Sequence, residues 1–175
     1  MLLISIAAPL TVASKSLQSF FFTRGELTAI MLAQEGVEAV VSLHRESQAN
    51  AILYSGSNWA WYSSLDSDCK GSDGCAVYFF DDTVTPVRTS SQDCADVSEP
   101  CRLYFDNARD RMRYNNEGVG TESPFTRAVR VIDVGDGQYA QVMVESEVSW
   151  TTSLHPGGIS VVARTNLFDV ATTTL

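Results

Sequence analysis

The sequence is poor in residues that carry chemistry. It has two histidines, His44 and His155, and 12 Lys and Arg against 21 Asp and Glu, which gives a net charge of −9. Because Lys and Arg supply most non-specific affinity for phosphate backbones, we expect no specific nucleic acid as a partner. The acidic stretch DSDCKGSDG has Lys70 where an EF-type calcium loop needs an oxygen ligand, so we expect no metal site. Nothing in the sequence groups a nucleophile, a base and an orienting acid, so we predict neither an enzyme nor a bound cofactor.

A long apolar run is also missing. The first residues, LLISIAAPLTVAS, are mostly apolar or small, but they fall short of the roughly 20 apolar residues that a membrane span needs. The positive charge that precedes the apolar stretch of a secretory signal is missing as well. The stretch is therefore interpreted together with the residues that follow it.

Prolines and turn clusters are absent from residues 14–50. Apolar residues recur there at the helical spacings of three and four, namely at Leu17, Phe20, Phe21, Leu27, Ile30, Met31, Val37, Val40 and Val41. The pattern predicts one helix over residues 2–50, roughly 70 Å long at 1.5 Å per residue. Because a small domain is narrower than this, we expect one end of the helix to protrude. We therefore divide residues 1–50 into an apolar half (1–22) and an amphipathic half (23–50).

The remaining residues, 51–175, are predicted to form a β-rich head. The clearest strand signal is FTRAVRVIDVGDGQYAQVMVESEVSW, in which valines alternate on both sides of a GDG turn. AVYFFDD, RLYFDN, RMRY and GISVVARTNLFDV supply further strands. The predicted fold class is α+β, with a long protruding N-terminal helix packed on an antiparallel sheet of about four or more strands. We expect Ile30, Val37, Val40 and Val41 to hold the helix to this sheet.

The four cysteines form two close pairs in the sequence, CKGSDGC (Cys69 and Cys75) and CADVSEPC (Cys94 and Cys101). Four cysteines allow three disulfide connectivities, of which the local pairing is the simplest. The alternative, a zinc site, usually uses C-x2-4-C spacings, which are shorter than both spacings here. We therefore predict disulfides, which imply an oxidising compartment outside the cytoplasm.

The N-terminal residues resemble the type IV pilins and the pseudopilins of type II secretion. The resemblance is carried by LLISIAAPLTVASKSLQ, in which Pro9 matches the helix-bending proline of the family, and by LAQEGVEAV, which is similar to the amphipathic half of minor pilins and pseudopilins. EVSWTTS and ISVVARTNLF resemble the closing hairpin of those branches. The family's processing site is absent, and aligning Pro9 with the family proline leads us to expect about a dozen further residues before Met1.

The resemblance implies a structural subunit of a bacterial type IV pilus-like filament. Such a subunit lies in the inner membrane before assembly and on the cell surface afterwards, and its partners are copies of itself, other pilins and the pilus assembly machinery. The residues implied in helix packing within the filament are Leu2, Leu3, Ile4, Ile6, Pro9, Leu10, Val12, Leu17, Phe20, Phe21 and Phe22. One alternative is a minor pilin or pseudopilin that primes or tips a filament or a secretion pseudopilus. Another is a secreted or membrane-anchored adhesive binding module that uses the aromatic stretch NWAWYSS.

Overall fold

The architecture comes from a computed structural model of the chain. The structure describes residues 2–54, 62, 65, 67–79, 87–94, 101–107, 111–114, 120–135, 141–152 and 155–168. These residues form helix α1 (Leu2–Tyr54), the short helix α2 (Ser67–Lys70) and strands β1 (Cys75–Phe79), β2 (Val87–Asp93), β3 (Arg102–Asp106), β4 (Arg111–Tyr114), β5 (Thr121–Asp133), β6 (Gln141–Thr152) and β7 (His155–Phe168).

Helix α1 is continuous over 53 residues, which corresponds to about 80 Å. It begins at the predicted position and ends four residues beyond the predicted end. Pro9 lies inside the helix, so the proline removes one backbone donor without ending the helix. The side chains of residues 9–21 are all exposed, and burial begins at Phe22. The predicted protruding end is therefore present.

The strands form one antiparallel sheet of seven strands with β5 at its centre. On one side β5 pairs with β6, which pairs in turn with β7. On the other side β5 pairs with β3 through its first half and with β1 at Val129. Strand β4 pairs with β3, and strand β2 pairs with β1. The predicted α+β class, with a long helix on an antiparallel sheet, is confirmed.

The β5–β6 pair contains the hairpin strands that the sequence predicted most clearly. Its register runs from Phe125 opposite Trp150 to Asp133 opposite Val142. Val131 and Val144 face each other across this pair and are fully buried, as alternation of apolar residues requires when one face of a sheet is covered. The predicted GDG turn lies mostly in residues 136–140, outside the described part of the chain.

Strand β2 was not predicted from the sequence. Its residues, VRTSSQD, contain one apolar side chain and no alternation, yet they pair with β1 through Val77 opposite Thr89. Strands β3 and β4, by contrast, were predicted from RLYFDN and RMRY, and they pair with Phe105 opposite Met112. Pairing with a buried neighbour therefore decides the strand structure of β2, whereas its own composition does not.

The core lies between α1 and the sheet in two clusters. Of the predicted helix-to-sheet residues, Val40 is fully buried and Val37 and Val41 pack on the same cluster, while Ile30 is half-buried. The helix also buries three small residues that were not predicted as core, Ala29, Ala33 and Ala39. Small side chains on the buried stripe allow the helix axis to approach the sheet closely.

Candidate interaction surface

Among the described residues, the first part of α1 carries a group of five large apolar side chains that are exposed. Phe21 is 63% exposed, and Leu10, Val12, Leu17 and Phe20 have similar exposures. The rings of Phe20 and Phe21 lie edge to face, with 5.9 Å between their centroids. Because clustered apolar side chains in water mark interaction sites more often than isolated ones do, this part of α1 is the first candidate for an interface.

Three hydroxyl groups of α1 are hydrogen-bonded within the helix itself. The hydroxyls of Ser14, Thr23 and Thr28 each donate to the backbone carbonyl four residues earlier, at 3.0 Å. A hydroxyl bonded in this way needs no water or partner side chain. The helix can therefore place these residues in an apolar environment without leaving an unsatisfied donor.

The implied packing residues occupy different positions relative to the head. Leu10, Val12, Leu17, Phe20 and Phe21 project from the protruding end, where Pro9 is also exposed. Phe22 is half-buried, and its ring lies 5.8 Å from the His155 imidazole at the start of β7. The remaining four, Leu2, Leu3, Ile4 and Ile6, lie in α1, but their side chains are outside the described part of the structure.

Two further apolar residues of α1 are exposed beyond the protruding end. Leu27 is 55% exposed and Met31 is 70% exposed, although both lie in the half of α1 that packs on the sheet. Sequence reasoning counted both in the helical pattern but did not assign them to an interface. Their spacing from Phe20 and Leu17 is the signal that could have identified them, because multiples of seven residues return to the same helix face.

Close approach at two glycines sets the position of α1 on the sheet. A Cβ at Gly36 would overlap the hydroxyl of Ser146 and lie 3.1 Å from the Ser146 Cβ and 3.2 Å from the Arg127 Cδ. A Cβ at Gly25 would make only ordinary contact with the Trp150 indole, at 3.4 Å from Nε1. The helix is therefore in tight contact with β5 and β6 at Gly36 and in looser contact at Gly25.

Arg127 on β5 ties the helix to the sheet from inside the core. Its side chain is 2% exposed and donates hydrogen bonds to the carbonyls of Leu32 on α1, at 3.1 Å, and of Val77 on β1, at 3.2 Å. The Glu35 carboxylate lies 3.5 Å from the same guanidinium. One buried cation therefore links α1, β1 and β5, which fixes the direction in which the protruding end leaves the head.

The opposite face of the sheet carries a network of charges. Glu145 on β6 accepts hydrogen bonds from Arg130 at 2.8 Å and from Arg164 at 2.6 Å, and Arg130 also donates to Glu147 at 3.0 Å. Burial opposes the charge on Glu145, but the two arginines outweigh it, so the pKa of this carboxyl lies below its usual value. The network joins β5, β6 and β7 across the face that α1 leaves open.

The Cys94–Cys101 disulfide borders this second face at Cys94, whereas Cys69 and Cys75 lie in the core cluster between α1 and the sheet. Cys69 bonds to Cys75 and Cys94 bonds to Cys101, which confirms the predicted disulfides in their simplest connectivity. A cavity of about 260 Å³ on this face is lined by Asp73, Cys94, Thr126, Ala128, Arg130, Glu147 and Ser149. Arg130 and Glu147 bond to each other, so two of the three charged groups of the cavity are paired within the protein.

Groups suited to catalysis are separated in the described residues. His44 is buried on α1, whereas His155 is exposed at the start of β7. Among the side chains that the structure describes, no three His, Cys, Asp or Glu residues converge as a metal site would require. Within the same residues, no helix has both the length and the apolar character needed to cross a membrane.

The aromatic stretch considered for adhesion lies largely outside the described residues, since Trp59 and Trp61 are not among them. Tyr62 is described and is buried in the core cluster, with the Lys70 ammonium 4.9 Å from its ring centroid. This tyrosine therefore anchors its segment to the head and is not part of an exposed surface.

The geometry thus comprises a long N-terminal helix, a protruding apolar end and an antiparallel sheet with two disulfides, which is compatible with a pilin-like fold. No protein-family model, curated protein or solved structure matches this chain.

Proposed function

We propose that this protein is a structural subunit of a type IV pilus-like filament, held together by packing of the N-terminal helix among the helices of neighbouring subunits. The observation that carries the proposal is the protruding end of α1, where residues 9–21 are exposed and include five large apolar side chains. Burial of this surface in an assembly would contribute about 25 cal/mol per Å² of apolar area.

Two further observations support burial of this helix among other helices. The hydroxyls of Ser14 and Thr23 are bonded within the helix, so they cost little when water is removed. The exposed apolar residues also point in several directions, because Val12 and Phe21 lie on different faces of α1. A helix with apolar residues on several faces is suited to neighbours on several sides.

The head gives such a filament its outer surface in this proposal. The sheet face that α1 leaves open carries the Arg130–Glu145–Arg164 network, and the two disulfides stabilise the neighbouring turns. The subunit would lie in the inner membrane before assembly and at the cell surface afterwards. The proposal assigns the chain no catalytic step, cofactor or metal.

The test is the substitution Phe21→Asp in cells that assemble the filament. A charge on the protruding end should abolish filaments, since an isolated carboxylate is costly to bury. The matched control is Phe168→Asp, because Phe168 on β7 is 56% exposed but lies on the head. Normal filament yield from Phe21→Asp, with the head folded by circular dichroism, would contradict the proposal.

A minor pilin or pseudopilin is the second candidate, favoured by the similarity of LAQEGVEAV to those branches. It uses the same helix interface but differs in abundance within the filament. The number of copies per filament, measured by quantitative mass spectrometry of sheared filaments, separates the two roles. A chain present at about one copy per filament would be the priming or tip subunit.

A further inference from the structure

A heptad repeat of exposed residues runs along the face of α1 that points away from the sheet. The intervals between its members alternate between three and four residues, and its members are Leu10, Ala13, Leu17, Phe20, Arg24, Leu27 and Met31. We refer to these seven residues as the outer seam. Leu3 and Ile6 continue the same spacing in the sequence.

The outer seam is exposed along its whole length. Leu17 is 59% exposed and Phe20 is 61% exposed, and the values for Leu27 and Met31 are similar. The residues that α1 buries against the sheet, such as Ala29 and Ala33, lie on the opposite side of the helix. Apolar residues with a period of 3.5 are the pattern by which helices pair in coiled coils, so the pattern identifies a second helix as the occupant.

We propose that two copies of this chain form a dimer by antiparallel pairing of their outer seams. Arg24 decides the orientation, because a parallel, in-register pair would place the two Arg24 guanidiniums against each other in the seam. An antiparallel pair centred between Phe20 and Arg24 avoids this contact. It places Arg24 of each copy over the Phe20 ring of the second copy, a cation–π pair, and Leu17 against Leu27.

The area available is sufficient for such a dimer. If fully covered, the exposed parts of the five large apolar seam residues would bury roughly 1,300 Å² over two copies, which is at the lower end of the 1,200–2,000 Å² of specific interfaces. The antiparallel register also has a structural advantage. It lays the protruding end of each copy on the exposed side of the other copy's helix, where Leu27 and Met31 are located.

This dimer goes beyond the proposed filament and does not depend on it. A filament needs neighbours on several faces of α1, whereas the dimer uses the outer seam alone. Val12 distinguishes the filament from the dimer, because it is 67% exposed, and so available to a filament, but does not belong to the outer seam. If the dimer is absent while Phe21→Asp still abolishes filaments, only the dimer proposal fails.

The first test is sedimentation equilibrium of the purified full chain. The parent should dimerise, and Leu17→Glu should raise the dimer dissociation constant by at least about 100-fold, because it places a carboxylate at the buried seam. Val12→Glu is the matched control and should change the constant by less than about 3-fold. A monomeric parent would overturn the proposal, as would equal effects of the two substitutions.

The second test establishes the orientation by disulfide trapping. The four native cysteines are already paired in two disulfides, so introduced cysteines are the reactive thiols. Under mild oxidation, Leu17→Cys mixed with Leu27→Cys should give a cross-linked heterodimer, while each variant alone should cross-link at least about 10-fold less. Efficient cross-linking of Leu17→Cys with itself would mean a parallel pair and would overturn the antiparallel proposal.

Discussion

Replacement of Gly36 by alanine should destabilise the protein, although alanine favours helices. In an exposed helix, Gly→Ala stabilises by about 1 kcal/mol. At Gly36 the new methyl group would overlap the Ser146 hydroxyl and crowd the Ser146 Cβ and the Arg127 Cδ, at 3.1 and 3.2 Å. Ser146 is fully buried and Arg127 is held by two backbone carbonyls, so neither can move aside cheaply.

The expected cost follows from these contacts. Overpacking a tight core costs about 1–3 kcal/mol, which exceeds the gain in helix propensity. We therefore expect Gly36→Ala to lower the free energy of unfolding by about 1 kcal/mol. The matched control is Gly25→Ala on the same helix, where the nearest atom, Trp150 Nε1, is 3.4 Å away. Without overlap, the propensity gain remains, so Gly25→Ala should stabilise by about 0.5–1 kcal/mol.

A third variant tests the reasoning directly. The Ser146 hydroxyl has no hydrogen-bond partner among the described residues, so Ser146→Ala should cost little and should remove part of the overlap. Gly36→Ala should then be better tolerated in the Ser146→Ala background. Urea unfolding of the four chains in the cycle, followed by tryptophan fluorescence, measures the coupling. A Gly36→Ala chain as stable as the parent would refute the packing account.

Two further predictions concern the charged groups of the head. Arg127→Ala should lower the free energy of unfolding by about 3 kcal/mol, because it leaves a cavity and two buried carbonyls without their donor. Arg127→Met should cost about half as much, because most of the side-chain volume remains. Urea unfolding measures both losses, and equal losses would contradict this account. The lowered pKa of Glu145 predicts that its stabilising contribution is present above the ordinary glutamate pKa of about 4.3 and disappears as the pH falls below that value. Glu145→Gln should therefore weaken the loss of thermal stability between pH 5 and pH 3, and an unchanged pH profile would exclude Glu145 as a source of that loss.

The helix and the central hairpin could be predicted from the sequence because each has a strong local period. The apolar residues of α1 recur at three and four, and the valines of β5 and β6 alternate on both sides of one turn. In both cases the pattern needs no information from distant residues. The disulfides were predicted for the same reason, since each closes a loop of only six or seven residues.

The parts that could not be predicted depend on distant partners. Strand β2 has a polar sequence and forms because β1 offers it an edge. Arg127 shares the face of β5 that carries Val129 and Val131, and what its buried guanidinium bonds to depends on the distant carbonyls of Leu32 and Val77. Glycine is a weak helix former, yet at Gly36 even a Cβ would overlap the sheet, at the Ser146 hydroxyl. Only the assembled fold reveals these roles.

The contacts of α1 also have a consequence for the order of folding. Helix α1 is the first element of the chain, but its most extensive contacts with the sheet are with β6 and β7, the last two strands. The residues that α1 buries against the sheet therefore stay exposed until residues 141–168 have left the ribosome and any export channel. Contacts between residues as far apart in the sequence as α1 and β7 slow folding. Neither disulfide links these two regions, because both close short loops in the middle of the chain. We expect the nascent helix to need a membrane or a chaperone during that interval.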